Sequence, residues 1–157
     1  MSRTLLILAA FGCCSAMWPT EDGHTRSGQG YMFLAPMSGP AAGHLGIGGE
    51  AFLYGGLAAG AEAGYAFPGG AFRAGFGVLS VNGSYHLNRN THWRLWPFVT
   101  GGYSLGFRSG AASLANLGGG ANYWVRDHLG LRLEFREYLG RAGSIRFREL
   151  RFGLAFR

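Results

Sequence analysis

Apolar and polar residues alternate one for one along most of this chain, and the alternation is cleanest near its end. Leu129, Leu131, Leu133 and Phe135 interleave with Gly130, Arg132, Glu134 and Arg136, and Leu150, Phe152, Leu154 and Phe156 interleave with Glu149, Arg151, Gly153 and Ala155. A period of two places every apolar side chain on one face of a strand and every charge on the other, a division that the 3.6-residue period of a helix would scramble. The same rule predicts strands upstream. Leu45, Ile47, Ala51 and Leu53 oppose Gly46, Gly48 and Glu50, and Leu57, Ala59, Ala61, Ala63 and Tyr65 oppose Gly60, Glu62 and Gly64. Leu79, Val81, Tyr85 and Leu87 oppose Ser80, Asn82, Ser84 and His86. Val99, Gly101, Tyr103, Leu105 and Phe107 oppose Thr100, Gly102, Ser104, Gly106 and Arg108, and Ala115, Leu117, Gly119, Ala121 and Tyr123 oppose Asn116, Gly118, Gly120 and Asn122. A first strand around Gly30 to Pro36 is less regular, because Met32 and Leu34 fall where its polar face is expected.

Turn-forming residues separate these runs: Gly39 and Pro40, Gly55 and Gly56, Pro68 to Gly70, Asn88 to Asn90, Ser109 and Gly110, Asp127, and Gly140 to Gly143. The result is about eight strands of roughly ten residues, the length that crosses an apolar bilayer when tilted. Short connections favour an up-and-down meander of antiparallel strands. An even strand number brings both ends of the sheet to the same side.

Composition decides which way such a sheet faces. Hydrophobic residues make up 48% of the chain and charged ones 14%, against about 25% charged in an ordinary soluble domain. A deficit of charge fits a surface that meets lipid. In lipid every backbone donor and acceptor must pair internally, so a sheet can span only as a closed barrel. The expected fold is therefore all-β, an eight-stranded antiparallel up-and-down transmembrane β-barrel with its apolar face outward and its polar face inward. A soluble, lipocalin-like binding barrel would show the same alternation with the faces exchanged. The 29 glycines, many on the polar face, favour the first arrangement, because they leave room for long side chains in an interior that eight strands make only wide enough to fill. Tyr31, Tyr54, Tyr65, Tyr85, Trp93, Trp96, Tyr123, Trp124 and Tyr138 lie near expected strand ends, where amphipathic rings suit a membrane interface.

Residues 1–16 carry Arg3, an apolar run from Leu5 to Phe11, and small residues at Cys14, Ser15 and Ala16, the three-part layout of an export signal. Cleavage after Ala16 would remove both cysteines, Cys13 and Cys14. An alternative cut would make Cys13 an acylated lipoprotein residue. The expected organisation is a signal peptide over 1–16, a short periplasmic arm over 17–29 and the barrel over 30–157. The net charge of +6 comes entirely from arginine, since the chain has no lysine. These arginines are scattered along strands and connections rather than gathered on one face, which argues against a nucleic-acid partner.

The export leader, the alternating strands, the segment Gly118-Gly119-Gly120-Ala121-Asn122-Tyr123-Trp124 and the closing Arg151-Phe152-Gly153-Leu154-Ala155-Phe156-Arg157 together resemble the OmpA/OmpX-type outer-membrane β-barrel domains of Gram-negative bacteria. The resemblance implies a monomeric barrel in the outer membrane, in contact with lipid and lipopolysaccharide. It also implies delivery by the barrel-insertion machinery, with Phe152 and Phe156 as the insertion signal, although Arg157 follows the aromatic that ends the last strand in that family.

The inward face supplies the candidate chemistry. Glu50, Glu62 and Glu134 are positioned to pair with Arg132, Arg136 and Arg151, joined by Arg73 or Arg108, and to plug the lumen. Buried charges persist only when paired, so a structural plug is favoured over a narrow pore. Barrels of this size also include lipid A-modifying enzymes, which resemble hydrolases using a serine and a histidine. Ser84 and His86 share a face here, with Glu50 or Glu62 as an orienting acid, but they point inward near the end of the fourth strand. Arg141, Arg146 and Arg148 stand near the last outward connection, where lipid phosphates are within reach. His24, His44, His86, His92 and His128 lack metal-ligand spacing, and no cofactor motif is present.

Overall fold

The computed structural model describes residues 28–38, 42–69, 72–87, 93–140 and 146–157. The expected signal peptide, nearly all of the arm, Cys13, Cys14, His24, His92 and Arg141 lie outside the described residues. Eight strands follow one another: β1 (Gly28–Pro36), β2 (Gly43–Tyr54), β3 (Leu57–Phe67), β4 (Phe76–His86), β5 (Leu95–Phe107), β6 (Ala111–Arg126), β7 (Leu129–Gly140) and β8 (Arg146–Phe156). β1 begins at Gly28, so the last two residues of the expected arm are already in the sheet. A 3-10 turn, Phe72–Ala74, precedes β4.

Each strand pairs antiparallel with the next, and β1 pairs with β8 from Gly30↔Phe156 to Leu34↔Phe152 to close the barrel. Closure removes both sheet edges and pairs the backbone groups that an open sheet would leave exposed. Gly28, Phe156 and the connections β2–β3, β4–β5 and β6–β7 share one end, here called the terminal end. The remaining connections form the far end. The tight β2–β3 connection needs Gly55, whose φ of +56° lies in the left-handed region that side chains disfavour.

The two faces are inverted relative to a soluble barrel. Val81 and Leu117, on the outside, are 67% and 66% exposed, while Glu134 and Arg136, inside, are fully buried. Ile47, Val99, Leu131, Leu133 and Phe152 continue the exposed apolar surface. The alternation expected for β2 to β8 holds.

Strand β1 departs from it. Met32 and Leu34 are exposed on the apolar surface, and Tyr31, Phe33 and Ala35 point into the lumen. The reason lies on β2, where Gly46 and Gly48 provide the space. A Cβ added at Gly48 would stand 2.6 Å from the Tyr31 ring, and one at Gly46 would stand 2.7 Å from the Phe33 ring.

The aromatic residues divide in the same way. Tyr54, Tyr85, Trp93 and Tyr123 are exposed around the terminal end, where an interface belt is expected. Tyr31, Trp96, Trp124 and Tyr138 are instead buried inside the barrel. Parity explains the split, because a strand-end aromatic faces lipid only when it shares the register of its outward neighbours.

Candidate functional site: the charged lumen

The inward residues of β2, β3, β7 and β8 converge on the barrel axis because the meander closes on itself. Arg132, Glu134 and Arg136 succeed one another at two-residue steps on β7, so their side chains form a column. Glu134 is its hinge, accepting from Arg132 Nη2 at 3.0 Å and from Arg136 Nε at 2.6 Å. From this column the network reaches across the lumen. Arg132 Nη1 donates to Glu50 on β2 at 3.1 Å, and Arg136 Nη1 donates to Glu62 on β3 at 2.5 Å. Arg151, on β8, donates to Glu62 at 2.9 Å and also pairs with Glu149.

All six charged residues expected in the lumen are thus brought together, and the structure adds more. Glu149 accepts from Tyr138 Oη at 2.9 Å and lies 2.8 Å from His44 Nδ1. Tyr138 Oη in turn accepts from Arg151 Nη2 at 2.6 Å. Tyr31 Oη donates to Glu62 at 2.7 Å, and Gln29 Nε2 donates to Glu50 at 2.8 Å. Glu149 and His44 were legible by parity, each two residues or a multiple of two from a recognised inward position. Tyr138, two residues after Arg136, was legible in the same way, whereas Tyr31 and Gln29 were not, because the irregular β1 offered no recognised inward position to count from.

Three guanidiniums therefore meet four carboxylates, two of them also touched by histidines, in a space without bulk solvent. Stacking adds to the pairing. The Arg132 guanidinium lies between the Tyr31 and Phe98 rings, 4.1 Å from each centroid, and that of Arg151 lies 3.9 Å from the Phe33 centroid. A planar, weakly hydrated cation suits this sandwich better than an ammonium would, which accounts physically for arginine in these positions. Arg73 and Arg108 do not join. Both are exposed at the far end, where Arg108 Nη1 donates to the Ala74 carbonyl at 2.7 Å.

Ser84, His86 and Glu50 do come together, but not as a catalytic relay. Ser84 Oγ donates to Glu50, and His86 Nε2 lies 2.9 Å from Glu50 and 3.4 Å from Ser84 Oγ. A hydrolytic relay needs the acid on one ring nitrogen and the nucleophile on the other. Here both meet Nε2, Nδ1 is buried without a hydrogen-bond partner among the described residues, and the ring is enclosed against Phe52 and Phe98. The trio works as an end of the charge network.

Layers above and below complete the interior. At the terminal end Trp96 and Trp124 pack edge to face at 5.4 Å, and the Arg157 guanidinium covers both, 4.6 and 4.3 Å from their centroids. Arg157 Nε is held there by the Asp127 carbonyl at 2.6 Å. At the far end Tyr138 and Phe147 stack at 4.6 Å beside Leu114. Phe152 and Phe156 lie on the exposed outer surface of β8.

No family model and no curated protein matches this sequence. Solved structures do match. The N-terminal β-barrel domain of Pseudomonas aeruginosa OprF superposes with a TM-score of 0.69 at 16% identity, covering 82% of this chain and 95% of that one. A designed transmembrane β-barrel gives 0.64 at 17% identity over 82% and 92%, and Neisserial surface protein A gives 0.54 at 15% over 82% and 94%. At such identities the likeness is one of fold, that of the small OmpA-type outer-membrane β-barrels.

Proposed function

We propose that this chain is a structural outer-membrane β-barrel of a Gram-negative bacterium, exported by its leader, inserted by the barrel-insertion machinery and closed to solutes by its arginine and glutamate network. The observation that carries this reading is the inverted polarity. Glu134, Arg136 and Arg151 are enclosed while a continuous band of leucine, valine, isoleucine and phenylalanine is exposed. In water that band would be an aggregation hazard far larger than the apolar patches monomeric proteins tolerate. Against acyl chains it is the stable surface.

The charge network supports a plug rather than a pore, because its links run from β2 and β3 to β7 and β8 across the axis. Opening a path through it would strand charges in a low dielectric at a cost of several kcal/mol per ion. The role left for such a barrel is mechanical and superficial: holding lipid, and presenting its far end to lipopolysaccharide or to other surfaces. Arg146 and Arg148 sit on the outer face there, sharing Glu137 between them, and one carboxylate leaves a net positive pair for lipid phosphates. A closed barrel offers a second copy no free strand edge to pair with, which supports a monomer.

Detergent-extracted protein tests the reading. It should migrate differently on gels before and after boiling, with a β-rich spectrum, fractionate with the outer membrane and give negligible conductance in planar bilayers. A protein that stays soluble in the periplasm without detergent would overturn the orientation. Large ion-selective conductance would overturn the plug. Release of acyl chains from lipid A, lost in His86→Ala, would replace it with an enzyme.

A further inference from the structure

Beyond the Tyr138 and Phe147 layer, the far mouth of the barrel holds a cavity of about 300 Å³ that the charge network leaves unused. Met37, Phe76, Leu114 and Phe147 give it an apolar surface, and Phe147, stacked on Tyr138, separates it from the ion pairs beneath. The β5–β6 hairpin forms the remaining wall through Gly106 and Ala112. This hairpin rises above its neighbour, for β6 pairs with β5 from Ala111 but with β7 only from Leu114. An apolar recess of this kind holds water poorly.

Its rim is cationic. Arg108 lines the cavity, and Arg73 is carried by the 3-10 turn whose Ala74 carbonyl anchors Arg108. Among the described residues neither arginine has a carboxylate partner. Glu50, Glu62, Glu134 and Glu149 are engaged in the lumen, Glu137 is held by Arg146 and Arg148, and Asp127 lies at the terminal end. One of the five guanidinium donors of Arg108 is used on Ala74, which fixes the group at the rim and leaves others for a ligand.

We infer that this cavity binds a single-chain anionic amphiphile, a free fatty carboxylate of medium length. Its chain lies on Met37, Phe76, Leu114 and Phe147, and its carboxylate meets Arg108. The size favours one chain over a two-chain lipid, since the volume is at the small end of ordinary ligand sites. The uncompensated Arg108 selects the anion. This assigns the barrel a ligand in addition to its structural role.

Methionine offers an internal control, because Met37 lines the cavity whereas Met32 is exposed on the outer surface. With methyl-labelled methionine and the whole chain in lipid nanodiscs, titrated decanoate should shift the Met37 signal saturably and leave Met32 unmoved. Equal movement of both signals would mean partition into lipid and would overturn the site. Arg108→Gln should weaken decanoate binding about tenfold, the scale of a hydrogen bond to a charged group, and leave decanol binding unchanged. Decanol bound by the original protein as tightly as decanoate would overturn the anionic class. Ala112→Trp should fill the recess and abolish the Met37 shift, with barrel integrity read from gel migration. Binding that survives in a folded Ala112→Trp barrel would overturn the location.

Discussion

Arg151 Nη1 and Glu62 Oε1 lie 2.9 Å apart across the lumen, on strands β8 and β3, which share no backbone ladder. Such pairs tie opposite walls of the cylinder together. They contribute something the ladder cannot, since the ladder fixes only neighbours. Glu62 also accepts from Arg136 and Tyr31, so its removal loosens three walls at once.

Glu62→Gln is accordingly expected to destabilise the barrel by roughly 3–5 kcal/mol, the scale of a buried ion pair broken on one side. Urea unfolding of vesicle-embedded protein measures it as a lowered midpoint. A midpoint equal to that of the parent protein would mean that the remaining carboxylates compensate.

Arg132→Lys keeps the positive charge yet gives up the forked contact to Glu134 and the stacking between Tyr31 and Phe98. A loss of about 1–2 kcal/mol is expected from the desolvated stacking. Ring-resonance shifts at Tyr31 and Phe98 should change with it. If lysine proved neutral in both measurements, the sandwich would be incidental.

Val81 occupies the middle of β4 on the outer surface. At mid-bilayer Val81→Arg is expected to cost about 2–4 kcal/mol. On the surface of a soluble barrel the same change would be nearly neutral. Folding titrations in vesicles therefore report directly on which solvent this face meets.

Two glycines separate close approach from mere flexibility. A Cβ at Gly120 would collide with the Leu133 carbonyl oxygen and come within 2.8 Å of the Glu134 Cα, whereas the nearest atom to one at Gly83 is 4.0 Å away. Gly120→Ala should therefore lower stability by about 1–3 kcal/mol, as overpacking does. Gly83→Ala should be neutral or slightly stabilising, because alanine loses less backbone entropy on folding. Refolding yields of the two variants side by side test the difference.

Local alternation was enough to define the strand number, the antiparallel meander and the facing of Leu133 against Glu134, because a period of two is a property of neighbouring residues. It also placed Glu50, Glu62, Arg132, Glu134, Arg136 and Arg151 on one polar face, which the scarcity of charge and the glycines of that face turned inward. The sequence alone could not show that Glu62 meets Arg151 rather than Arg132, that Tyr31 and Phe33 turn inward onto Gly48 and Gly46, or that Arg108 stays at the rim. Those choices belong to closure: only when β1 joins β8 do residues far apart in the chain acquire a common axis, and the space there is allotted by volume and charge rather than by sequence position.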